Sequence, residues 1–133
     1  MVGNSMKVSR DEFEALVEDA LHMLPQHFQK ALDNVEIIVA DLPGDEDLDR
    51  AGASERRSLL GLYTGIPLTE RGYWYGMTPV MPDQIQIFQQ NIERICKSKD
   101  ELRYQVLTTV FHELGHYFGM DEDEIRAAMD DYI

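Results

Sequence analysis

Near the C-terminus of this 133-residue chain, "VFHELGHYFGMDEDE" (Val110 to Glu124) carries two histidines four positions apart, His112 and His116. Glu113 stands directly after the first. Positions i and i+4 share one face of a helix, so both imidazoles can reach a single ion from one turn. Zinc suits such donors, with imidazole nitrogens at about 2.0–2.1 Å. Glu113 is one position on, too short a step for a third ligand from the same face. It can instead take the proton of a water held at the ion, the division of labour of HExxH sites. The bland alternative is two histidines on the rim of a core, satisfied by hydrogen bonds.

The longer stretch "HELGHYFGMDE" fits the pattern HExxHxxGxxZ. Gly119 ends the helix and turns the chain back, so a residue three places later can approach the ion from another side. That residue is Glu122, with Asp121 and Asp123 as neighbours. All three are candidate third ligands. Asp121 has a competing task, because "DEDE" reads as an N-cap with Glu124 at N3 of a last helix. Glu122 has the expected spacing, and Asp123 is one step later. A metzincin would place histidine at the third position, with a Met-turn downstream. Here eleven residues follow Glu122, which excludes that arrangement.

The motif needs a helix to carry it. "SKDE" (Ser98 to Glu101) is a capping box that opens one. At about 100° per residue, Val106, Leu107, Val110, Phe111, Leu114, Tyr117 and Phe118 fall in one arc of roughly 140°. Gln105, Thr108, Thr109, His112 and His116 fall opposite. A solvated face would carry lysine and glutamate. This one is small and uncharged, so it is expected to line a cleft.

Other elements must support that helix. "SRDE" (Ser9 to Glu12) is a second capping box, and helical spacing runs from Arg10 to about Leu24. His22 and His27 read as surface residues. "NVEIIVADL" reads as a strand, and "PGDEDLDR" as an acidic loop. Asp45, Asp47 and Asp49 mimic the start of a calcium loop, but Arg50 and Arg56 stand where that loop needs glycine and glutamate. A second strand is predicted over Ser58 to Ile66, with Gly61 and Gly65 marking a bend or close approach. "PLTERGYWYGMTPVMP" is predicted to be a long irregular loop. "DQIQIFQ" is predicted as a third strand at the edge of the sheet, lying along the cleft with Gln84 and Gln86 on a solvated face. A peptide could then pair with Gln84 to Phe88. A helix over "NIERICKS" makes Cys96 a small core residue.

The length points to one domain. Twelve basic against twenty-five acidic residues give a net charge of −13, which disfavours nucleic acid and anionic lipid. No apolar run approaches the roughly 18–20 residues that span a membrane. The N-terminus has no apolar segment of a secretory signal. A lone cysteine fits a reducing compartment.

Taken together, "VSRDEFEALVEDAL", "LLGLYTGIPLTER", "MPDQIQIFQ" and "TTVFHELGHYFGMDEDEI" resemble a family of short bacterial proteins, described as candidate zinc metallopeptidases with a minimal zincin-like fold. The resemblance runs from about Val8. It implies an α/β (α+β) single domain, with a small mixed sheet and an HExxH helix, and a cytoplasmic location. It implies zinc as cofactor and a peptide or protein as substrate. The family's third-ligand position is usually aspartate, whereas this chain has Glu122. On this reading residues 1–8 are a tail, or a cloning remnant ahead of a natural start at Met6, and 9–133 are the domain. His112, His116 and Glu122 hold zinc, and Glu113 is the general base. Tyr63, Arg71, Tyr73 and Tyr75 are candidates to stabilise an oxyanion. The rival expectation is a metal-binding or peptide-binding module without turnover.

Overall fold

The computed structural model describes residues 6–53, 55–65 and 83–132. The described elements, in order, are α1 (Arg10–His22), α2 (Gln26–Ala31), β1 (Val35–Ala40), α3 (Asp45–Ala51), β2 (Gly61–Thr64), β3 (Asp83–Phe88), α4 (Gln89–Arg94), α5 (Lys99–Tyr117) and α6 (Glu122–Tyr132). The result is a mixed α/β domain with a three-stranded sheet ordered β1-β3-β2. β1 runs parallel to β3, and β2 antiparallel to it.

The helix ends obey their local chemistry. Ser9 Oγ accepts from the Glu12 N–H at 3.0 Å, and Ser98 Oγ from the Glu101 N–H at 3.1 Å. Each satisfies a donor that the first turn leaves without a helical partner. α5 stops in a Schellman turn. Gly119 takes φ +76, its N–H donates to His116 O at 2.9 Å, and the Met120 N–H donates to Gly115 O at 2.9 Å.

Pairing sets the faces of the sheet. Tyr63 stands opposite Ile85, and Gly61 opposite Ile87. Ile85 and Ile87 are fully buried, in one core with Phe13 and Leu16 of α1 and Val106, Val110 and Leu114 of α5. Cys96 joins this core, as expected. Gly61 lets α5 lie close on β2. A Cβ there would sit 2.7 Å from Thr109 Cγ2 and 3.1 Å from Gln86 O.

Four expectations need correction. β3, expected at the edge, is the central strand, with β1 and β2 filling both its sides. Its glutamines are half-buried under polar partners: Gln86 Nε2 donates to Asp47 Oδ1 at 2.9 Å, and Gln84 Nε2 to Glu36 Oε1 at 3.1 Å. A peptide therefore has no open main-chain edge at Gln84 to Phe88. Among the described residues the edge beside α5 is β2. The acidic stretch is helix α3, not a loop. Asp45, Glu46 and Asp47 crowd its first turn, where the helix dipole favours them, and Gly52 at φ +66 closes it. The second strand is shorter than predicted. Asn91 Nδ2 instead holds the carbonyls of Arg56 and Leu59, each at 2.7 Å. Finally, α2 follows Pro25 where no helix was predicted, and it brings Phe28 against Phe111. The long loop predicted over 67–82 lies outside the described residues. At the other end, the Met6 N–H donates to Cys96 O at 2.8 Å and the Val8 N–H to Glu93 Oε2 at 2.9 Å.

Candidate metal centre

The apolar arc of α5 is buried, and the opposite face opens on a cleft of about 350 Å³. Gln105, Thr108, Thr109, His112 and Glu113 form one wall, and Leu59, Leu60, Gly61 and Met129 the other. Gln105, Thr108, Thr109 and His112 of the uncharged helix face thus line a cleft, as its composition predicts, while His116 is not among its lining residues.

His112 and His116 lie one turn apart with ring centroids at 4.7 Å. A carboxylate stands on each side of His112. Its Nδ1 is 2.8 Å from Glu113 Oε2, and its Nε2 is 2.9 Å from Glu122 Oε2. His116 Nε2 is 3.4 Å from Glu122 Oε1. Glu122 therefore touches the Nε2 atoms of both histidines. Donor atoms of His112, Glu113 and His116 also lie within 4.8 Å of one another.

Glu113 is buried, and its other oxygen is occupied. Oε1 accepts from the main-chain N–H of Tyr63 in β2 at 2.7 Å. That bond anchors the carboxylate to the strand across the cleft. Nothing in the sequence announces it, since every non-proline residue carries the same donor. The Tyr63 hydroxyl donates to Asp83 Oδ2 at 2.7 Å, so the side chain is committed toward β3. Arg71, Tyr73 and Tyr75 lie outside the described residues.

Two more features place Glu122. Asp121 and Glu124 form a reciprocal cap. The Glu124 N–H donates to Asp121 Oδ1 at 2.8 Å, and the Asp121 N–H to Glu124 Oε1 at 2.9 Å. Asp121 is thus engaged as an N-cap, and Asp123 is exposed beside Arg126 at 3.6 Å. Ile125, three residues after Glu122, packs where a Cβ on Gly115 would lie, 2.5 Å from its Cγ1. The glycine inside the motif lets α6 dock closely, with Glu122 and Ile125 on the same side.

The charges reinforce one another. His112 is raised from 6.5 to about 9, first by its hydrogen bond to Glu113; burial opposes this, and Glu122 adds to it. Glu122 is held below the usual carboxylate range, chiefly by its bond to His112. Two imidazoles converging on one carboxylate make a His₂Glu set, which is a zinc donor set. The residues present fit that ion, and His112 has the carboxylate partner at its other nitrogen that such ligands usually have.

The sequence profile of the zincin-like metallopeptidase family matches residues 32–131. The chain belongs to that family. No curated protein matches it in sequence. Among solved structures, a conserved hypothetical protein from Thermo thermophilus superposes with a TM-score of 0.52 at 19% identity, covering 84% of this chain and 94% of that one. At that identity the likeness concerns the fold alone. In this zincin-like chain, His112, Glu113 and His116 form an HExxH group on helix α5 whose donor atoms could hold a metal ion.

Proposed function

We propose that this zincin-like chain is a zinc-dependent peptidase acting on peptides or proteins. The observation that carries the reading is the approach of Glu122 to both Nε2 atoms, beside a buried Glu113. His112, His116 and Glu122 hold the zinc. When bound, the ion supplies Lewis acidity, polarising the scissile carbonyl and acidifying water. Glu113 accepts a proton from the attacking water and returns it to the leaving amine. The Tyr63 N–H keeps the Glu113 carboxylate turned toward the cleft, and Glu113 Oε2 in turn orients the His112 ring. A cytoplasmic location agrees with the reduced, buried Cys96. No helix among the described residues is long and apolar enough to cross a membrane.

One observation favours a second reading, a metal-binding module without turnover. Both Glu113 oxygens already hold partners. The test is digestion of a peptide library by chelator-free protein, with and without added zinc. Zinc-dependent cleavage supports the peptidase. Stoichiometric zinc without cleavage supports the module.

A further inference from the structure

We infer that the cleft beside the metal centre selects peptides by an uncharged, apolar side chain adjoining the scissile bond. This deepens the peptidase reading and rests on it. His112 and Glu113 themselves line the cleft, so a side chain lying in it belongs to a residue at the reacting bond.

The walls decide what fits. Leu59, Leu60 and Met129 supply apolar surface, and Gly61 leaves room between them. Three hydrogen bonds engage polar groups on the helix side. Thr108 Oγ1 donates to Gln105 O at 3.0 Å, and Gln105 Nε2 reaches Thr108 Oγ1 at 3.3 Å and Thr109 Oγ1 at 3.4 Å. With these bonds made, the surface offered to the occupant is mostly apolar. An apolar side chain can settle there without stranding a donor or acceptor.

A charged side chain fares worse. In a chain with a net charge of −13, Glu113 is the one acidic group among the described residues that lines this cleft, and both its oxygens are engaged. Aspartate or glutamate would face it directly. Lysine would have to compete with the Tyr63 N–H and His112 for it. A volume of about 350 Å³ admits leucine, methionine or phenylalanine together with adjoining main chain. Met129 belongs to the same face of α6 as Ile125 and Glu122, so the helix that brings the carboxylate to the histidines also supplies part of this wall.

The test uses the zinc-loaded full chain and blocked tripeptides Ac-Ala-Xaa-Ala-NH₂, with Xaa as Leu, Met, Phe, Lys or Asp. Binding is followed by NMR at the Gln105, Thr108 and Thr109 amides and the Met129 methyl, and hydrolysis by mass spectrometry on the same samples. The Leu, Met and Phe peptides should shift those signals saturably, with Lys and Asp at least about tenfold weaker, since a charge in the cleft finds no free partner. Gln105→Glu should raise the affinity of the Lys peptide relative to the Leu peptide by about tenfold. Equal binding of charged and apolar peptides, shifts confined to other surfaces, or no saturable shift at all would overturn the inference. Selective binding without hydrolysis would remove the peptidase reading and leave the cleft's selectivity standing. Hydrolysis that favours Lys or Asp would do the reverse.

Discussion

Glu113 has two partners before any substrate arrives, the Tyr63 N–H and His112 Nδ1. Glu113→Gln keeps an acceptor for the Tyr63 N–H and loses the base. Hydrolysis should fall about 10²–10⁴-fold with zinc retained, as metal analysis beside rate measurement will show. Loss of zinc would make Glu113 a ligand. His112, held first by Glu113 and then by Glu122, sets a pH dependence in the metal-free protein. His112 titrates at about 9 when folded and near 6.5 when unfolded. Its stabilising contribution is therefore whole below about 6.5 and disappears as pH rises through about 9. Glu122, held low, works in the opposite direction: its contribution is present above the ordinary carboxylate range and is lost as pH falls. The melting temperature of chelated protein should decline between about pH 7 and 9.5, and His112→Gln should remove that decline. A flat profile in the parent would contradict this electrostatic account. At this scale the sequence was informative where a helix fixes spacing, as with His112 and His116 one turn apart on α5. It was silent on the Tyr63 N–H, because main-chain donors leave no mark in residue identity.

Helices α5 and α6 must meet closely for Glu122 to face the histidines. Gly115 permits it, since a Cβ there would sit 2.5 Å from Ile125 Cγ1 and 2.7 Å from its Cδ1. Gly115→Ala should push α6 outward and weaken zinc binding by roughly 10–100-fold, the range for groups that orient ligands. Gly115→Ala with Ile125→Ala should recover most of that affinity, because the second change removes the clash. Competitive chelator titration reads both, and unchanged affinity in the single variant would contradict the assignment. The capped helices were legible from Ser9, Ser98 and Asp121, whose oxygens accept the expected N–H groups. α3 was not, because a run of aspartates after Pro43-Gly44 looks alike in a loop and in a first turn. The place of β3 was not legible either. Alternating isoleucine and glutamine describes one dry face and one polar face. It does not say whether the polar face meets water or, as here, Asp47 and Glu36.

The domain as a whole gains stability from whatever binds its folded form alone. Free zinc at about a hundred times its dissociation constant should add roughly 2.7 kcal/mol, or on the order of 10 °C in melting temperature for a domain of this size. Glu122→Ala should abolish most of that gain, whereas Asp123→Ala, at an exposed position, should keep it. The gain should also shrink with added salt, because the acidic surface attracts divalent cations at long range. The central claim is that His112, His116 and Glu122 hold one zinc ion. Anomalous diffraction at the zinc edge, on crystals grown with the metal and without chelator, tests it most directly. A single strong peak should lie about 2.0–2.2 Å from His112 Nε2, His116 Nε2 and a Glu122 oxygen. A peak that leaves Glu122 uncoordinated, or no peak beside the two histidines, would contradict it.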